Sequence, residues 1–302
     1  MIAQNGKLKK VLKPFLTSED LVGELDSKPS RYVIDFSGLD RLSAQAYGPL
    51  FKRVEFGALP DRKKAADKEE ERNKELAKSG ENGNQHHANF LKNWWQMSYS
   101  RAEMMRQIAK LDRYIVCGQV TKRPIFGFVS SNISPNAALT VFTHDDDYSF
   151  GVLQSTIHWA WFDARCSTMK SDPRYTSNTV FDSFPWPQSP SLKQVRTVAD
   201  ASVALRKLRR ELCAKHKLTL RDLYRTIEQP GNHPLKTATA ALDAAVRAAY
   251  GMKPKENILA FLLLLNLKLA SDESKGIAIT GPGLPAAAAG SAKLITKDCI
   301  EV

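Results

Sequence analysis

The sequence predicts an α+β protein: an antiparallel β-meander with flanking helices, followed by a small helical domain. Three observations carry this. Short runs rich in β-branched and aromatic residues fall between 113 and 143, with turn residues between them. From 192 to 270 apolar residues recur instead at helical spacing. A hydrophobic share of 43% over 302 residues is enough to build a core.

Residues 1–60 read as a leading segment that packs on the domain after it. Within it "SRYVIDFSGLD" (30–40) gives a strand from Tyr32 to Phe36 closed by a Ser-Gly turn. "SAQAYGPLF" (43–51) gives a short helix stopped by Gly48 and Pro49. Residues 61–92 read as a charged, partly flexible spacer. Its first part, 61–85, holds seven basic and seven acidic residues and no apolar stripe, so it reads as an exposed helix that frays.

"NWWQMSYSRAEMMRQI" (93–108) opens a recognition segment, 93–190. Trp94 and Trp95 fit a packing anchor, with a base-stacking platform as the alternative. Ser100 to Glu103 fits a capping box, and Met104, Met105, Ile108 and Leu111 follow on one helical face. "RYIVCGQV" (113–120), "IFGFVS" (125–130) and "ALTVFT" (138–143) are the three strands. After "HDDD" (144–147) one helix is expected from about Tyr148 to Ala164. Those aspartates suit helix capping better than metal binding, because adjacent loop residues rarely converge on one ion. Three prolines between 185 and 190 make a stiff exit.

A helical C-terminal domain, 191–270, follows, with helices at Leu192–Lys217, 236–251 and 256–270. Gly251 is the expected end of the second. The remainder, 271–302, is low in complexity and reads as a flexible tail.

A net charge of +12 and a pI near 9.5 point to a polyanionic partner, above all nucleic acid. Residues 193–225 alone carry ten basic and three acidic side chains. Four cysteines without a CxxC pair suit reduced thiols in a cytoplasmic protein. The longest apolar run, 258–270, is too short to span a bilayer and is interrupted by Asn266 and Lys268, so no membrane role is expected.

No P-loop, GxSxG or HExxH motif is present. His86 and His87 lack a third ligand at helical spacing, so no metal site is expected. No two prolines are consecutive, which removes the Asn-Pro-Pro-aromatic loop that holds a flipped base in amino-methyltransferases. No catalytic or cofactor-binding residues stand out.

Binding chemistry remains. Lys122 and Arg123 occupy a tight turn between strands, where two cations can reach phosphates, although hairpin tips are commonly charged. Asn132 and Asn136 carry amides that can pair with adenine or can serve as ordinary loop residues. Lys170, Arg174 and Tyr175 form a basic-aromatic loop. Arg206, Arg209 and Arg210 lie on a helix that keeps Leu205, Leu208 and Leu212 on its other face.

Several strings occur together in a familiar order: "RYVIDFSG", "NWWQMSYSRAEMMRQI", "RYIVCGQVTKRPIFGFV", "FGVLQSTIHWAWF", "RYTSNTVFDSFPWP" and "ALDAAVRAAYG…LLLLNLKLA". Over roughly residues 10 to 270 the chain resembles the MmeI-like adenine-specific DNA methyltransferases, which are fused restriction–modification enzymes. The resemblance implies a target recognition domain and the helical region after it, with double-stranded DNA as partner. It also implies a separate methyltransferase domain, in cis or in trans, that carries S-adenosylmethionine; this chain holds neither that cofactor's motif nor a nuclease motif. The alternative is a protein–protein assembly module whose basic charge is incidental.

Overall fold

The computed structural model describes residues 6, 8–291 and 294–302. The chain runs β1 (Leu12–Leu16), α1 (Ser18–Gly23), β2 (Arg31–Ile34), α2 (Arg41–Gln45), α3 (Pro49–Lys78), α4 (His86–Lys92) and α5 (Ala102–Ile108). It continues through β3 (Arg113–Gly118), β4 (Gly127–Ser130), β5 (Ser134–Pro135), β6 (Leu139–Phe142), α6 (Asp147–Gln154), α7 (Thr156–Arg165), β7 (Ser167–Met169) and β8 (Asp172–Arg174). A π-helical turn (Ser177–Phe181) precedes α8 (Leu192–His216), α9 (Leu220–Thr226), α10 (Pro234–Tyr250) and α11 (Ile258–Ser274). Two compact units result: Met1–Pro14 with Arg31–Met105, and Phe15–Ser30 with Arg106–Val302.

In the first unit β2 lies beside the start of β1, and Asp35 N–H donates to Val11 O at 2.7 Å. Gly48 and Pro49 do more than end α2. Gly48 takes φ 45°, and Pro49 opens α3, where its missing N–H costs no hydrogen bond. The helix then runs 30 residues, through Gly57 and Pro60, and includes most of the charged stretch. Glu69 shows why that stretch holds together. Its carboxylate, buried on α3, accepts the N–H groups of His87 and Ala88, both at 2.9 Å, and so ties down the start of α4.

Trp94 is a core residue of this unit, with its ring centroid 5.2 Å from Phe51. Trp95 donates Nε1–H to Leu39 O at 2.9 Å. Both tryptophans are therefore packing anchors. The residue before α5 is Arg101, at φ 46° with its carbonyl accepting from Met105, rather than Ser100.

In the second unit β3, β4 and β6 form an antiparallel sheet in the order β4-β3-β6. Ile115 on β3 pairs with Phe128 on one side and Phe142 on the other. The last strand thus joins β3 rather than β4. The intervening β5 is drawn off to pair in parallel with Phe15 and Leu16 of β1, which brings the chain back along the free edge of β3. Every residue of β3 is buried, as a central strand covered on both faces requires.

The helix expected over 148–164 is two helices. Ser155 ends α6 and caps α7, accepting from His158 N–H at 3.3 Å. The Asp243 carboxylate on α10 fixes the break by taking Thr156 N–H and Oγ1–H at 2.8 and 2.7 Å. Asp146 caps α6, accepting from Ser149 N–H at 2.7 Å. α8 starts with a capping box from Ser191 and Gln194. α10 ends at Gly251, φ 69°, as its sequence signalled. α9 lies between the first two helices expected of the C-terminal domain.

The core of this unit joins Phe128, Phe142, Phe150, Trp161 and Phe162 to Val195, Val198 and Leu205 of α8 and to Leu242 and Val246 of α10. The described part of the tail is docked on it: Ile300 N–H donates to Phe128 O at 2.8 Å, and Ser130 N–H to Ile300 O at 3.0 Å. Among the described residues no helix is long and apolar enough to cross a membrane.

Candidate nucleic-acid interface

One end of the β4-β3-β6 sheet gathers most of the cations that the sequence singles out. Beyond Gly118 the chain stays extended: Gln119 N–H donates to Ala138 O at 2.8 Å, and Val120 bridges to Arg174. Thr121 N–H donates to Pro173 O at 2.9 Å, and Tyr175 N–H to Gln119 O at 2.7 Å. The β7–β8 hairpin is thereby fastened to the continuation of β3. This joins Lys122, Arg123, Asn136, Lys170 and Arg174 around one sheet end. Asn132, by contrast, sits at the opposite end, next to Ser131, whose N–H donates to Asp112 O at 3.0 Å.

Their surroundings differ. Lys122 is exposed at a turn braced by its own backbone: Thr121 Oγ1–H donates to Arg123 O at 2.7 Å, and Trp159 Nε1–H to Lys122 O at 3.3 Å. Arg123 is half-buried, with its guanidinium 4.5 Å from the Trp159 ring centroid and 5.5 Å from that of Tyr224. Such stacking commits it to holding the turn. The Asn136 side chain accepts from Ala138 N–H at 2.8 Å within its own loop. Arg174 is half-buried, and its Nε is a buried donor without an acceptor among the described residues. Lys170 is exposed at the hairpin tip, at φ 50°.

Three expected contact residues are buried and engaged within the chain. Tyr175 is 1% exposed; its ring stacks on Phe162 with centroids 5.6 Å apart and its hydroxyl lies 3.0 Å from His158 Nε2. Burial raises the Tyr175 phenol and pushes the His158 imidazole down to about 3, so that pair is neutral. Arg209 donates to Phe126 O at 2.7 Å and to Gln154 Oε1 at 3.0 Å. Arg206 pairs with Asp147 and with Asp298. Arg210 is exposed but pairs with Asp298 at 2.6 Å. Much of the positive charge of α8 therefore serves the fold.

Sequence spacing also missed Arg113, which is wholly buried on β3 and pairs with Asp147 at 2.9 Å, its guanidinium 3.6 Å from the centroid of Phe128. Burial would raise the Asp298 carboxyl, but its hydrogen bonds and charge contact with Arg206, then Thr296 and Arg210, outweigh this and hold it far below the carboxylate range. The remaining tip residues, Thr168, Met169, Ser171 and Asp172, were missed as well. Lys170 and Ser171 form a two-residue turn with φ of 50° and 76°, and without Gly or Asn there the turn left no signal. Among the described residues no three metal-ligating side chains gather.

Similarity to known proteins follows this geometry. The family model described as "MmeI, target recognition domain" matches residues 1–188. DNA methyltransferase A of Bacillus subtilis (strain 168) is 31% identical over 110 residues, which are 36% of this chain and 12% of that protein. A solved structure of the Type IIL restriction-modification enzyme MmeI in complex with DNA has the same fold, with a TM-score of 0.62 at 23% identity. That match covers 89% of this chain and 32% of the MmeI chain. This chain thus spans a minor part of either relative. With more than half of its length matched by the family model, the chain belongs to the MmeI target recognition domain family.

Proposed function

We propose that this chain binds duplex DNA and reads its sequence, as the recognition module of an adenine-N6 DNA methyltransferase of the restriction–modification kind. Membership of a target recognition family carries the reading, and the cations of the sheet end support it. Lys122 and Lys170 project from rigid supports into solvent, so both can reach a duplex without reorganising the fold. Methyl transfer belongs to a domain outside this chain, met in cis or in trans. S-adenosylmethionine carries a positive sulfonium, and Lys122, Arg123, Lys170 and Arg174 around the sheet end do not fit it. Four free cysteines agree with work in the cytoplasm, where the DNA is.

The test is a gel-shift titration of the chain with duplex DNA at two salt concentrations. Counterion release makes binding fall steeply as salt rises. No shift at low salt overturns the reading.

One observation favours a second role beside it. α11 leaves Leu259, Leu263, Leu264 and Leu267 between 42% and 69% exposed, an apolar face suited to a protein partner. Replacing these leucines by Gln should abolish such a complex and leave DNA binding intact.

A further inference from the structure

Resting on the DNA-binding reading, we infer that the β7–β8 hairpin is the base-reading element, entering the major groove with Thr168, Lys170, Ser171 and Asp172 at its tip. Lys122, at the neighbouring turn, is left to the phosphate backbone.

Shape is the first argument. A major groove is about 12 Å wide and about 8.5 Å deep and admits a two-stranded ribbon. The hairpin pairs Ser167–Met169 with Asp172–Arg174 and is closed by a two-residue turn; only its base, at Pro173 and Arg174, is joined to a third segment. Beyond Pro173, whose carbonyl accepts from Thr121 N–H, the chain runs two residues to that turn, about 7 Å in extended form, and the side chains at the tip add to that reach. The ribbon is thus narrow enough to enter, with tip side chains that extend to the base edges.

Free chemistry is the second. Thr168, Met169, Lys170, Ser171 and Asp172 are all exposed. Among the described residues none of their side chains makes a hydrogen bond or ion pair. They offer an ammonium donor, two hydroxyls, an apolar thioether and a carboxylate acceptor. These match guanine O6 and N7, either base edge, the thymine methyl and the cytosine amine. Asn136 and Arg123 lack this freedom, being engaged within the chain.

Rigidity is the third. Positive φ at Lys170 and Ser171 costs energy that glycine would avoid. The turn keeps two functional side chains there instead. Behind it, Val120, Thr121 and Gln119 hold the ribbon by backbone pairing, and Tyr175 pins its base in the core. A reader so held keeps its register on the duplex.

The experiment uses the full 302-residue chain. A duplex preferred by the wild type is selected from a randomised pool, and affinity is compared with an unrelated duplex and with a copy in which 7-deazapurines remove the major-groove N7 acceptors. The wild type should favour the selected duplex at least about ten-fold and lose about ten-fold on 7-deaza substitution. A Thr168→Ala, Lys170→Ala, Asp172→Ala variant should bind all three alike, within about three-fold of the wild type on unrelated DNA. If that variant fails to fold, Lys170→Asn, which suits positive φ, replaces it with the same expectation of reduced discrimination. Unchanged discrimination by the variant, indifference of the wild type to 7-deazapurines, or binding without any preference each overturns the inference while leaving DNA binding in place. Absence of binding at low salt overturns the DNA-binding reading and this inference with it.

Discussion

Arg206 on α8 donates through Nε to Asp298 Oδ2 at 2.9 Å, although 92 residues separate them in the chain. The same guanidinium meets Asp147, which also pairs with Arg113. Two buried arginines and two carboxylates thus balance, and Asp298 supplies the charge that completes the set. Asp147→Asn should therefore leave two buried cations facing Asp298 alone. The expected loss is about 3–5 kcal/mol, read as a lowered urea midpoint; a variant within about 0.5 kcal/mol of wild type would contradict it.

Acid should loosen the second unit through His158. Its folded pKa lies near 3, below the ordinary 6.5, because burial disfavours the cation. Between those values the unfolded chain takes up a proton that the folded chain refuses, so stability falls as pH drops from 6.5 toward 3. Asp146, raised to about 6 mainly by burial, acts in the opposite sense, losing stability as pH rises between about 4 and 6. Asp298, held low, adds a further loss below about pH 4. A His158→Gln variant should show a shallower decline between pH 6.5 and 3 in urea unfolding at stepped pH.

Gly151 is where α6 meets α8. A Cβ there would stand 2.7 Å from Val198 Cγ1 and 3.2 Å from Val198 O, so neither side can give cheaply. Gly151→Ala should destabilise the protein by about 1–3 kcal/mol despite improving helix propensity. A raised melting temperature would contradict the close packing described.

The charged helix α3 should be as dependent on Glu69 as on its own propensity. Glu69→Ala removes the acceptor of His87 and Ala88 N–H, at an expected cost of about 1 kcal/mol and with faster amide exchange at those two residues. Equal exchange in the variant would show that α4 starts unaided.

Elements with strong periodicity were legible in the chain. Strands β3, β4 and β6 and helices α8, α10 and α11 follow from apolar spacing, and Gly251 from its C-terminal position. Long-range partners were not legible. Arg206 and Arg209 read as surface cations because nothing within α8 discloses Asp147, Gln154 or Asp298, which arrive from 55 to 92 residues away. Tyr175 read as a ring on a basic loop because its burial depends on Phe162 and His158 of α7. Pro49 read as a stop because proline ends one helix and opens the next equally well. At the candidate site Lys122 and Lys170 were found by charge alone, whereas the ribbon that carries Lys170 depends on a turn formed by residues that rarely make one.

The most direct test of the account is the salt dependence of duplex binding by the wild type and by a Lys122→Glu variant, measured by fluorescence anisotropy. The wild type should lose affinity steeply with salt, and the variant should bind more weakly with a log–log slope shallower by about one, near 0.9 for the one phosphate contact removed. A wild type that does not bind at low salt, or a variant with unchanged affinity and slope, would contradict it.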